Sequence, residues 1–227
     1  MKDKSQTNSK VIIGFALACF SVWWIFQDMG SNCEAAIVYP KAPEGGRQII
    51  NENIGPTLRA HPRMLGGVRM EDLTIAEPHR SYVVGLTDLA SGHLLSAAKS
   101  NAWRYILIHG TNAVGVAELH ADEKTGTGLK FSALYDTAFG KETMEALQQA
   151  KKLPQIGKQD YEPRFLDIPA VYFVAVWLHG KSDDILIPLP PTFGRCNAYQ
   201  PYSESQIIKL LKPEAKKKSK AHAGTFD

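Results

Sequence analysis

Sixteen consecutive residues without a charge, Val11–Phe26 (VIIGFALACFSVWWIF), constrain this chain more than any other feature. At about 1.5 Å per residue such a run makes a helix about 24 Å long, a little under the roughly 30 Å hydrocarbon core of a bilayer. Lys10 can snorkel at one end, and Gln27–Gly30 can extend the helix at the other. Trp23 and Trp24 stand near the far end, at the depth of an aromatic belt. Lys2, Lys4 and Lys10 precede the run, whereas Asp28 and Glu34 follow it. That asymmetry predicts a single-pass helix in the cell membrane, with the N-terminus cytoplasmic and the rest of the chain outside. A cleaved signal peptide is the alternative, with Cys33-Glu34-Ala35 as a usable small-x-small site and a secreted product. A third reading buries the run inside a cytosolic protein. Cys19 is a poor lipid-modified first residue, because FSVWWIF after it stays apolar.

The formal net charge of +3 is carried by the ends of the chain. Six lysines follow residue 208 against Glu214 and Asp227, which leaves the stretch 29–208 slightly acidic. A body without a basic excess is not expected to bind nucleic acid. The lysine-rich tail is expected to be solvated, its functional alternative being a weak contact with an anionic surface. Of the three cysteines, Cys19 lies in the apolar run, while Cys33 and Cys196 would both face an oxidising space if the chain is exported. The pair can form a disulfide there; two unpaired thiols are the alternative.

Residues 31–80 hold five prolines and the Gly45-Gly46 and Gly66-Gly67 pairs, and read as a tether between the anchor (1–30) and the domain. Ile49, Ile50 and Leu65 can pack it along the domain in places. The domain is expected over 81–212, with a disordered tail over 213–227. Within it, Ser81–Thr87 reads as a strand and Asp88–Lys99 as a short helix capped by Asp88. Trp103–His109 and Ala113–Ala121 read as a hairpin around Gly110-Thr111-Asn112. Pairing His109 with Ala113 sets Arg104 opposite Glu118, Tyr105 opposite Ala117 and Leu107 opposite Gly115, matching opposite charges and large against small. Leu129–Asp136 follows as a third strand, and Lys141–Leu153 as a helix with Met144, Leu147 and Ala150 on its apolar side.

A short strand is expected over 164–168. Val171–Leu178, apolar on both faces, reads as a covered central strand. Pro188 assigns Ile185–Leu189 to an edge or a strand end. Ser203 and Gln206 form a capping box before a last short helix that Pro213 ends. Consecutive hairpins with few crossover helices predict an α+β fold: a mostly antiparallel sheet with two or three helices, behind the N-terminal apolar transmembrane or signal helix.

Several motif fragments carry no chemistry. Gly180-Lys181-Ser182 lacks the upstream glycine and following helix of a phosphate-binding loop, and reads as a hairpin turn. The same holds for Gly126-Thr127-Gly128. His109 and His120 are too far apart along the hairpin to share a metal ion, because seven residues of strand span more than about 20 Å. No metal site and no cofactor is expected. The 13-residue connection 190–202 (PPTFGRCNAYQPY) holds Phe193, Arg195, Tyr199 and Tyr202, a composition suited to recognition. Its bland reading is that the aromatics fold back over the sheet.

Two functions remain. One is a non-catalytic domain anchored through residues 11–26 that binds a protein or other component of the envelope. The other is an exported hydrolase with a site gathered from separate loops, drawing on His93, His109, Asp136, His179 or Cys196. Absent catalytic signatures favour the first.

Overall fold

A computed structural model describes residues 36–121, 128–136 and 138–223. The apolar run 11–26, the signal-cleavage site and Cys33 lie outside the described residues, and so does Gly126-Thr127. Among the described residues no helix is long and apolar enough to cross a membrane. In chain order the elements are α1 (Gly46–Ala60), β1 (Leu73–Ile75), β2 (His79–Val83), α2 (Leu86–Ser91), β3 (Lys99–His109) and β4 (Asn112–Ala121). Then follow β5 (Leu129–Asp136), α3 (Ala138–Ala150), β6 (Tyr161–Ile168), β7 (Phe173–Gly180), β8 (Asp184–Pro188) and α4 (Glu204–Ala223). The fold is α+β, with a mostly antiparallel eight-stranded sheet and four helices among the described residues.

The sheet runs β5-β4-β3-β2-β6-β7-β8, with β1 sharing the β2 edge of the long strand β3. Its one parallel pair among the described residues is β2 with β6, which joins the two halves. Side chains at Trp103, Arg80, Arg164 and Trp177 fall in register across four strands and share one face. That face carries α1 over the β3–β5 half, where Ile50 and Ile54 meet Tyr105, Leu107 and Leu119. The α2 and α4 helices cover its β6–β8 half, where Leu89, Ile207 and Leu211 meet Leu166 and Trp177. Helix α3 lies on the opposite face, with Ala146, Leu147 and Ala150 against Phe165, Val176 and Leu178. Strand β7 is thus covered on both faces and β8 is an edge, as their compositions predict.

The hairpin keeps its expected register from Trp103 to Leu107, with Arg104 opposite Glu118. Near the turn it slips by one residue at Leu107/Ile108, so that His109 faces Asn112 and only Gly110 and Thr111 turn. Two-residue hairpin turns match strand twist best, and Gly110 supplies the positive φ of 59°. A bulge absorbs the difference. Beyond the bulge, Val114 joins the α1 cluster.

Other departures have local causes. The stretch 31–80 holds α1 in place of a featureless tether. Gly46, Gly55 and Pro56 hide its helical period, while complete burial of Ile50 and Ile54, one turn apart, outweighs the proline within it. Helix α2 starts earlier than expected and stops at Gly92, whose φ of 95° caps it. On α3 the sheet-facing residues include Gly140 and Thr143, so the buried stripe is smaller than a Met144-Leu147-Ala150 stripe. Gly140 permits that approach, since a Cβ there would lie 2.9 Å from the Gly115 carbonyl oxygen.

Helix α4 begins at the expected capping box. The Ser203 N–H donates to Gln206 Oε1 at 2.8 Å, and the Gln206 N–H donates to Ser203 Oγ at 3.3 Å. It then runs through Pro213 to Ala223, where a disordered tail was expected. Burial of Leu211 and Ala215 on either side of Pro213 holds the helix together. Lys218 donates to the Ala170 carbonyl at 2.8 Å, so part of the lysine run is docked.

Candidate functional site

On the α3 face, β2, β3 and β4 place His79, Ser81, Ala102, Arg104, Glu118 and His120 side by side, because alternate residues of a strand share a face. Beyond Phe139, at its N-terminal end, α3 no longer covers this ground, and Ser81 and Ala102 are small. The result is a crevice of about 270 Å³ lined by Ser81, Asn101, Arg104, Glu118, His120, Tyr135 and Asp167, with Phe139, Phe165 and Val174 as apolar walls.

Arg104 dominates it. The residue is 3% exposed, and its guanidinium carbon sits 3.5 Å from the Phe165 ring centroid and 6.0 Å from that of Phe139. Its Nε lies 3.9 Å from Glu118 Oε2, an ion pair too long for a hydrogen bond. Buried Nε and Nη1 have no hydrogen-bond partner among the described residues. Burial lowers the guanidinium pKa to about 10 against the opposing pull of Glu118. Glu118 spends its other oxygen on His120, whose Nε2 lies 2.8 Å away. Asp167 is half-buried at the end of β6, and burial pushes its carboxyl up while Arg104 pulls it down. No hydrogen bond or ion pair ties the Asp167 side chain among the described residues. His79 is buried, with neither ring nitrogen partnered among the described residues; burial first, and Arg104 second, lower its pKa to about 3. It is a neutral ring beside a buried cation.

A second cavity of about 310 Å³ adjoins the crevice across Phe139, Asp167 and Val174. Its walls are apolar: Pro169, Tyr172, Leu189, Pro190, Pro191 and Phe193. Tyr172 and Phe193 are 69% and 66% exposed, with rings 6.3 Å apart. Both have left-handed backbones, φ 49° and 51°, which bulky residues adopt only when their surroundings hold them there. Arg195 does the holding. Its guanidinium donates to the carbonyls of Val171 at 2.5 Å and Tyr172 at 3.1 Å, and pairs with Glu214 of α4 at 2.9 Å.

The 190–202 connection therefore splits. Phe193 lines the trench and Arg195 positions it. Tyr199 packs on the α3 cluster, and Tyr202 bridges to Leu186 and packs on the α2–α4 cluster, so those two cover the sheet. Cys196 also packs on the α2–α4 cluster, where burial raises its thiol pKa. Its pairing with Cys33 falls outside the described residues. The hydrolase candidates lie on separate elements: His93 follows the α2 cap, His109 ends β3, and His179 in β7 pairs with Asp184 at 2.8 Å. Asp136 ends β5, its side chain outside the described residues. Gly180-Lys181-Ser182 forms the β7–β8 turn, where Ser182 donates to Gln159. Among the described residues no three His, Cys, Asp or Glu side chains gather as a metal site would need.

Asp167, Tyr172 and His120 complete the site and were not legible as members of it. One signal was present: Arg104 and Glu118 share their face with the apolar Ile106 and Val116. No protein-family model matches the chain, and no curated protein and no solved structure matches it.

Proposed function

We propose that this is a non-catalytic ligand-binding domain, held at a membrane by residues 11–26 with the domain outside the cytoplasm. Its ligand is a component of the envelope that sets a polar head in the Arg104 crevice and an apolar body in the Tyr172–Phe193 trench. The observation that carries this reading is the buried Arg104, whose Nε and Nη1 lack partners beside an open crevice. Burying unsatisfied donors costs stability, about 1–3 kcal/mol each for a neutral group and more for a charged one. A ligand that accepts from them recovers that cost. The two cavities also have the polar-and-apolar division typical of small-molecule sites.

Saturation-transfer NMR on the full-length chain in detergent, with a fragment set of anionic, cationic, zwitterionic and neutral heads, tests the reading. Fragments that bind the wild type are expected to bind Arg104→Gln at least tenfold more weakly. Equal binding to both proteins, or no binding at all, overturns it. The anchored, exported placement is supported by the charge asymmetry around Val11–Phe26. A reporter fused after Asp227 is expected to be active outside the cytoplasm, and activity only inside would remove that part.

The hydrolase reading has two supports, His120 held by Glu118 and His179 held by Asp184, which is how a general base is oriented; of the two, only His120 lines the crevice. Among the described residues no hydroxyl or thiol is hydrogen-bonded to His120. Ester or amide hydrolysis that disappears in His120→Gln would favour it over binding alone.

A further inference from the structure

Resting on the binding reading above, we infer that the crevice takes a small zwitterion, an α-amino acid with an apolar side chain. Its carboxylate would meet Arg104, its ammonium Asp167, and its side chain the trench walled by Tyr172 and Phe193.

The inference follows from which charges in the crevice are already answered. Glu118 accepts from His120 and stands beside Arg104. Two groups of opposite sign are left with unfilled hydrogen-bonding capacity: Arg104, with Nε and Nη1 bare, and Asp167, with no partner for its carboxylate among the described residues. An anion would satisfy Arg104 but add a like charge beside Asp167 and Glu118. A cation would satisfy Asp167 and leave the arginine donors bare. A neutral hydroxyl or amide could touch both, but would bring no charge to either. A zwitterion answers both at once, and an α-amino acid carries its two charged groups on one carbon, in one small head. A carboxylate oxygen is a charge-matched acceptor for a guanidinium N–H.

The side chain has a defined exit. Asp167 lines both cavities, so a head bound to it stands at their junction, with Phe139 and Val174 beside it. Beyond lie proline, leucine and aromatic surfaces, where the Tyr172 hydroxyl is a polar group but no side chain carries a charge. That selects leucine-like and phenylalanine-like ligands over charged ones, since an unpaired charge against such walls is costly. Arg195 fixes the trench through the carbonyls of Val171 and Tyr172 and so acts on the ligand only by positioning.

Calorimetric titration of the full-length chain in detergent with L-leucine, N-acetyl-L-leucine, L-leucinamide and L-lysine tests this. Leucine is expected to bind, with each of the other three at least tenfold weaker. Arg104→Gln is expected to erase the preference for leucine over leucinamide, and Asp167→Asn the preference for leucine over N-acetyl-leucine. If either capped compound binds the wild type as tightly as leucine, the zwitterion inference is overturned while the binding reading stands. The same holds if none of the four binds but fragments of another class bind in an Arg104-dependent way. If nothing of any class binds, both fall. A variant that fails to fold leaves the decision to the four ligands on the wild type.

Discussion

On one face of β3 and β4, Tyr105, Leu107, Ala117 and Leu119 are completely buried against Ile50, Ile54 and Leu65 of the N-terminal segment. One residue along each strand, the other face holds Arg104, Glu118 and His120, with His79 beside them. Strand alternation separates the two sets, and packing decides their fates. The α1 face is closed, and its atoms have apolar partners apart from the buried Tyr105 hydroxyl, which has no hydrogen-bond partner among the described residues. The α3 face is closed over Ile106 and Val116 but open beyond Phe139, and there it holds a charge that the surrounding protein does not satisfy. Apolar burial needs no further explanation than stability. An arginine 3% exposed with bare donors works against stability, and the proposed binding function rests on that contrast.

The largest expected effect comes from breaking the closed face. Leu107→Ala removes a fully buried side chain from between the sheet and α1, and is expected to cost about 2–5 kcal/mol, part of it from the cavity left behind. Urea denaturation measures it. A loss under about 1 kcal/mol would mean that α1 packs less tightly than the structure has it, and the comparison would lose its stable side. Leucine binding, measured on whatever fraction folds, should be unchanged.

Acid acts on the other face. His79 ordinarily titrates near 6.5, but burial, aided by Arg104, holds it neutral in the folded protein down to about 3. As pH falls below about 6.5 the unfolded chain takes up a proton that the folded one refuses. Stability is therefore fully present above about 6.5 and is lost progressively down to about 3. The whole window is worth on the order of 5 kcal/mol, of which the part above pH 4 is about 3 kcal/mol. The difference in unfolding free energy between wild type and His79→Leu, followed from pH 7 to pH 4, isolates this term from the carboxylates common to both. The variant is expected to lose less on acidification. Parallel profiles would show that His79 is protonated, or hydrated, in the folded state.

The hairpin that builds both faces was legible, because pairing Arg104 with Glu118 also pairs Tyr105 with Ala117 and Leu107 with Gly115, and a slip loses all three. Its end was not, since the bulge at Leu107/Ile108 depends on which turn the last residues prefer. Nor was the depth of the Arg104–Glu118 pair. That depth comes from Phe165 on β6, which reaches β2 through a parallel pairing with no local trace in the sequence. The α1 helix was hidden by its own glycines and proline, and only contact with Tyr105 and Leu119 makes it a helix worth forming. In the 190–202 connection the sequence pointed to Phe193 and Arg195, but not to their partner Tyr172. That residue lies in a short turn after β6, and its exposure is set by Arg195 from across the fold. Residues that act through distant carbonyls leave little pattern in their own neighbourhood.

The smallest effect is the most discriminating. Arg104→Met keeps the length and much of the apolar stem while deleting the charge and the bare donors. It also removes the partner of Glu118, but that carboxylate retains its 2.8 Å contact with His120 and lines the crevice. Replacing a whole buried ion pair with apolar side chains is often neutral or stabilising, whereas deleting one partner strands the other; here the pairing is loose, at 3.9 Å, and His120 still answers Glu118. The unfolding free energy is therefore expected to shift by no more than about 1 kcal/mol, in either direction, while leucine binding by calorimetry falls at least tenfold. Stability unchanged with binding lost assigns Arg104 to the ligand and not to the fold. A loss of 3 kcal/mol or more with binding retained would reverse the assignment. The donors would then be satisfied inside the folded protein, for example by buried water, and the two faces of β3 and β4 would differ in polarity but not in purpose.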